Sequence, residues 1–101
     1  MRYIRNVKTI HSRCHQLLVK MLKAERQKRA LSQEVIATQL SEKQNWMSRV
    51  ERGMRRIDVC EFLLLAEAIG FNPHTVLRQL SRGNKEATVR ASSRRYDKKT
   101  R

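Results

Sequence analysis

The sequence predicts an all-α domain of five helices with flexible basic ends, and three observations lead there. A single Pro, three Gly and few runs of aromatic or β-branched residues disfavour sheet. The apolar residues recur three and four positions apart, which is the spacing of one helix face. Four of the periodic segments open on a capping residue, namely Ser12, Ser32, Asp58 and Asn72. At 101 residues and 40% hydrophobic content there is room for one small core and therefore one domain.

Charge bounds the function. The net charge of +14, from 23 Lys and Arg against 9 Asp and Glu, is the electrostatic footprint of a polyanion binder, with nucleic acid ahead of a membrane surface. The longest apolar run, Phe62 to Ala66, falls far below the roughly 18 residues of a spanning helix. The basic N-terminus lacks the apolar region of a secretion signal, so a cytoplasmic protein without membrane contact is expected, bound to the nucleoid when on DNA. Cys14 and Cys60 fit that compartment as reduced thiols. His11, Cys14 and His15 have a spacing that approaches one metal ion, but no second cluster completes a four-ligand site; no metal and no cofactor are expected. No carboxylate pair outside helix caps, no phosphate-cradling Gly loop and no nucleophile with its base point to an enzyme.

Along the chain, residues 1–11 form a basic segment in which Arg2, Arg5 and Lys8 surround Tyr3, Ile4, Val7 and Ile10. It reads as a frayed end, an arm on DNA or a contact to a second subunit. The domain itself spans 12–81. Its first helix starts at Ser12 and carries Leu18, Met21, Leu22, Glu25 and Arg26 along one stripe. Residues 31–53 then read as two short helices around a tight turn, a helix-turn-helix. Ser32 caps the first, whose apolar positions are Val35, Ile36, Ala37 and Leu40; Met47 and Val50 are those of the second. With Met47 and Val50 turned inward, Gln44, Asn45, Ser48, Arg49 and Arg52 lie on the outer side, and such side chains hydrogen-bond base edges and phosphates. A basic loop, Met54 to Arg56, precedes an Asp58/Glu61 capping box. Phe62, Leu63, Leu65, Ala66 and Ile69 are expected to face the core, and Gly70 to stop that helix. Asn72 and Pro73 start the fifth helix, where Val76, Leu77 and Leu80, with Phe71, close the core or extend into a dimer contact. Residues 82–101 read as a flexible basic tail, either a solubilising end or a sequence-blind phosphate contact.

The pattern Leu31-Ser32-Gln33, then Ala37, Gln44 and Ser48-Arg49-Val50-Glu51-Arg52-Gly53 resembles the Cro and phage-repressor type of helix-turn-helix domain, the xenobiotic-response-element family, over roughly residues 12 to 80. Two positions depart from it. Ser41 stands at the turn where the family usually has Gly, and Lys43 where it commonly has a capping Ser or Thr. The recognition helix therefore starts either at Lys43 or one turn earlier through a Ser41/Gln44 capping box. The resemblance implies a five-helix Cro/repressor-like fold with a recognition helix around residues 43–52 in the major groove. It implies base reading by Gln44, Asn45, Ser48 and Arg49, and backbone contacts from Gln33, Lys43, Arg52, Arg55 and Arg56. A Gln44 or Asn45 amide suits adenine and the Arg49 guanidinium suits guanine, each discriminating by about 1 to 3 kcal/mol. It further implies a partly buried ion pair between Arg26 and Glu51. Trp46 either packs on the first helix or reaches toward DNA.

The expected partner is double-stranded DNA. One module this small covers a single half-site, which points to a homodimer on an inverted repeat with recognition helices about 34 Å apart. The fifth helix with the N-terminal segment is the expected dimer surface. The function so implied is a sequence-specific transcriptional regulator of phage or mobile-element type, acting as a repressor. The alternative is a DNA-binding antitoxin, although the basic, apolar-poor C-terminus does not look like a toxin-binding segment.

Overall fold

The computed structural model describes the backbone of residues 12–96 and the side chains of residues 12–84. The described residues form five helices and no strand: α1 (Arg13–Lys28), α2 (Gln33–Gln39), α3 (Gln44–Glu51), α4 (Val59–Ile69) and α5 (Pro73–Tyr96). The all-α, five-helix class is thus the one observed. The N-terminal segment with its arm reading and His11 fall outside the described residues, as do residues 97–101.

Side-chain caps open four of the helices. The Ser12 hydroxyl accepts from the His15 amide at 3.1 Å, and Ser32 accepts from the Val35 amide at 3.1 Å. Asp58 and Glu61 form the reciprocal box, with bonds of 2.7 and 3.1 Å. Asn72 Oδ1 accepts from His74 at 2.8 Å just ahead of Pro73. Each satisfies amides that a helix start otherwise leaves unpaired.

The other ends share one device. α1, α2, α3 and α4 each run into a residue of positive φ: Ala30 at 56°, Ser41 at 59°, Gly53 at 73° and Gly70 at 99°. The next residue then donates back to a carbonyl of the last turn, as Leu31 does to Arg26, Glu42 to Ala37, Met54 to Arg49 and Phe71 to Ala66. This left-handed ending reverses the chain tightly and pairs the last carbonyls. Two of the four ends do it without glycine, which costs roughly 1–2 kcal/mol per residue.

The core gathers Leu22 from α1, Ile36 and Ala37 from α2, Met47 and Val50 from α3, and Phe62, Leu65 and Ile69 from α4. Phe71 and Val76 complete it, the Phe71 ring lying 5.8 Å from that of Phe62 at 53°. α2 and α3 pack on each other; α1 bridges α3 and α5, and α4 lies against α2 and α5.

Three expectations are corrected. Leu63 does not enter the core but is 49% exposed, and Val35 is exposed as well; Leu77, read as closing the core or extending into a dimer contact, is 45% exposed and so does not close the core. α4 buries only positions 62, 65, 66 and 69, one stripe of a helix, and Leu63 stands about 100° round from Phe62. The third correction concerns the tail, because the chain does not leave helix near Leu80; α5 continues to Tyr96. No Pro interrupts residues 82–96, and Lys85, Glu86, Ala87, Arg90 and Ala91 are strong helix formers. Gly83, the weak point of that stretch, lies against α1. A Cβ there would come within 2.6 Å of Leu17 Cδ2, so the missing side chain lets the two helices approach.

Glycine at the two non-glycine turns should stabilise the fold. Ser41→Gly and Ala30→Gly are each expected to raise unfolding free energy by about 0.5–1 kcal/mol, and Gly70→Ala to lower it by about 1–2 kcal/mol, in urea titrations.

Candidate nucleic-acid interface

α3 presents the site. It begins at Gln44 with Lys43 as its N-cap, and Lys43 provides no side-chain cap bond; the Ser41/Gln44 box one turn earlier does not form. Ser41 is instead the left-handed residue of the turn, its amide donating to Thr38 at 3.0 Å while that of Glu42 reaches Ala37 at 2.8 Å. Met47 and Val50 are fully buried, which fixes the rotation of the helix. At 100° per residue, Gln44, Ser48, Arg52, Asn45 and Arg49 then fall on one outward arc, all exposed except the half-buried Ser48.

Glu51, the last residue of α3, ties that helix to the scaffold. Arg26 Nε and Nη2 donate to its carboxylate at 2.5 and 2.9 Å, with side-chain exposures of 11% and 2%, and Arg26 Nη1 caps the Leu31 carbonyl at 2.7 Å. The bond to Glu51 raises the Arg26 pKa above its already high value. Gln33 Nε2 donates to Glu51 Oε1 at 3.0 Å, and Gln33 Oε1 accepts from Gln44 Nε2 at 3.2 Å. One chain of hydrogen bonds therefore joins α1, the start of α2 and both ends of α3.

Gln33 thus links to both ends of α3, its amide engaged on both sides. Lys43, Arg52 and Arg56 are exposed around the arc, with Arg52 Nε 3.4 Å from the Ser48 carbonyl. Arg55 differs from its neighbours. Its guanidinium forks onto Glu61 at 3.0 and 2.9 Å, donates to the Arg56 carbonyl at 2.8 Å and lies 5.2 Å from the centre of the Trp46 ring. That fork holds the Glu61 carboxyl below its ordinary value and raises Arg55 above its own. Trp46 packs against the core, its Nε1 buried without a hydrogen-bond partner among the described residues.

His15 reaches the same loop from α1. It is 7% exposed, its Nε2 is buried without a partner among the described residues, and burial lowers its pKa despite a hydrogen bond to the Arg55 backbone. Arg56 lowers it further by repulsion. The described residues contain no group of three or more metal-ligating side chains, and no helix among them is long and apolar enough to cross a membrane.

A helix-turn-helix domain family matches residues 17–80. The chain belongs to this family. Its fold is also that of an XRE-family like protein from Pseudomonas syringae pv. tomato, with a TM-score of 0.68 and 32% identity over 77% of this chain and 95% of that one. The restriction-modification controller protein C.AhdI from Aeromonas hydrophila is similar too, with a TM-score of 0.57 and 28% identity over 65% of this chain and 99% of that one. None of the curated proteins matches the sequence. As a Cro-like helix-turn-helix protein, the chain is of the DNA-binding, transcription-regulating class.

In this helix-turn-helix protein the roles of Gln33 and Arg55 were not legible as pairings, because their partners lie elsewhere in sequence. Glu61 already had a reading as a cap, and it serves both that cap and Arg55. An Arg six residues before a capping Glu is the available signal, and it is weak.

Arg26→Ala is expected to cost about 3–5 kcal/mol of unfolding free energy, because it strands a buried carboxylate; Arg26→Met with Glu51→Leu should cost much less. For pH, the folded His15 pKa lies below the unfolded value of 6.5, so its contribution is complete above that value and is lost as pH falls through the folded pKa. Glu25, held low chiefly by Arg29, and Glu61 lose theirs further down, below about 4.3. Melting temperature should therefore fall in two stages on acidification, with the first flattened in His15→Gln and the second in Glu61→Gln.

Proposed function

We propose that this protein is a sequence-specific transcriptional repressor that binds an inverted-repeat operator as a homodimer, with α3 of each copy in the major groove of one half-site. The observation that carries the reading is the outward arc of α3, where amide and guanidinium groups stand on a helix whose rotation and end are locked by the core and by Glu51. Such groups have direct counterparts on base edges: Arg49 pairs with guanine O6 and N7, and Asn45 or Gln44 with adenine N6 and N7. Gln44 is already oriented by Gln33, so binding immobilises less of it. Ser48 adds a shorter contact between them.

Lys43, Arg52 and Arg56 take phosphates on either side of the groove. Gln33 and Arg55 approach the backbone as well, but their main work is to hold Gln44 and the loop. Occupying an operator is enough to block a promoter. A similar chain is named as a restriction-modification controller, and that is a regulatory task of the same kind.

Selection of bound sequences from random duplex DNA at physiological salt tests the reading. The wild type should enrich an inverted repeat, and Arg49→Ala should lose the preference at one base pair per half-site, by about 1–3 kcal/mol. Arg56→Ala should weaken all sequences alike and lower the salt slope by about 1. Transcription from a promoter overlapping the repeat should fall on adding protein. Binding without an enriched motif, or a rise in transcript, would overturn the specificity or the repressor role respectively.

A further inference from the structure

α4 is apolar on both sides. Phe62, Leu65, Ala66 and Ile69 enter the core, while the opposite arc holds Val59, Cys60, Leu63, Leu64 and Glu67, all exposed. Val59 is 73% exposed, Leu63 49% and Leu64 53%, and Glu67 is the one charge among them. A groove between the end of α2 and α4, lined by Gln39, Leu40, Leu64, Glu67 and Ala68, opens beside Leu64. Scattered exposed leucines need no explanation, but an apolar ridge beside a groove marks a surface that is covered in use.

Charge identifies what covers it. The chain carries a net +14, yet from Ile57 to Leu77 there is no Lys or Arg, only Asp58, Glu61 and Glu67 as charged side chains. All 23 basic residues lie outside that stretch. Two copies approaching through the basic segments bring many like charges together, whereas across the outward arc of α4 the one like charge each copy presents is Glu67. An acidic partner, protein or nucleic acid, is drawn to the basic faces instead. We propose that the outward face of α4 is the surface on which a second copy of this chain docks about a two-fold axis, Leu63 and Leu64 of each copy meeting the ridge and groove of the other. This rests on the half-site reading above, in which one copy alone leaves the operator half read. The interface so placed is α4, rather than α5 with the N-terminal segment.

The full chain carrying Leu63→Gln and Leu64→Gln tests this, because both leucines are exposed and the net charge stays at +14. Sedimentation equilibrium at micromolar concentration should give a dimer for the wild type and a monomer for the variant, whose dimer dissociation constant rises more than about tenfold. Affinity for the selected inverted repeat should fall by roughly 100-fold, while affinity for an isolated half-site stays unchanged. Should the double variant lose its melting transition, Val59→Gln at the most exposed position of the ridge replaces it, with a smaller shift in the same direction. A variant that dimerises as well as the wild type overturns the proposal, as does a wild type that stays monomeric at about 100 μM, where a dimer would be weaker than about 5.5 kcal/mol. A dimer broken by the variant in a protein that enriches no DNA motif would uphold the α4 surface and dismiss the operator reading instead.

Discussion

The fork between Arg26 and Glu51 is the interaction on which the helix-turn-helix half of this molecule depends. α3 has only eight residues and no side-chain cap at its start, and a helix that short does not persist in water by its own propensity. Burial of Met47 and Val50 fixes its rotation, but two inward side chains one turn apart leave its tilt free. Glu51 removes that freedom by bonding α1 through Arg26 and α2 through Gln33. Because Gln33 also holds Gln44, the restraint at the end of α3 is transmitted back to its beginning. A buried carboxylate is costly unless its oxygens are occupied, and here both accept from Arg26 while one also accepts from Gln33. The pair therefore acts more as a register pin than as a source of stability.

A second constraint is the sharpness of the turns. Four helices end in left-handed residues, which lets short elements change direction within connections of three to seven residues and stack around so small a core. Gly53 and Gly70 announce their turns in the sequence, since glycine adopts positive φ without strain. Ala30 and Ser41 do not: the periodicity on either side places the first turn, and for the second the family resemblance puts Ser41 where glycine is usual. That is why the start of α3 stayed open between two readings: a Ser next to a possible capping partner is also compatible with the end of the preceding helix. The tertiary fold decides for the latter, because the Glu42 amide completes the α2 ending through Ala37.

The apolar stripes and the caps at Ser12, Ser32, Asp58 and Asn72 were legible because each follows a local rule, whereas the Arg26/Glu51 pairing was legible only through the family resemblance. Leu63 and Leu77 were not, because α4 and the start of α5 are apolar on more than one face, and periodicity cannot say which stripe of an all-apolar helix is inward. The extent of α5 was hidden for the opposite reason. Beyond Leu80 there is almost no apolar pattern, and charge-rich sequence reads equally as coil or as a helix continued from a packed turn. The close approach of Gly83 to Leu17 provides that packed turn and lies in no motif.

Charge and apolarity are sorted by segment rather than mixed over the surface. Among the basic residues of α3 and its following loop, Arg55 is tied down: it forks onto Glu61 while its guanidinium lies over the Trp46 ring. The clamp joins the loop after α3 to the first turn of α4, so the loop bearing Arg56 has a fixed root on the same helix that carries the uncharged ridge. His15 supports the loop from below through α1. An object docked on α4 would therefore bear on a path of side chains leading through Glu61 and Arg55 to the loop after α3. If two copies pair through α4 on an inverted repeat, as proposed, that linkage turns a contact between copies into a choice of operator spacing.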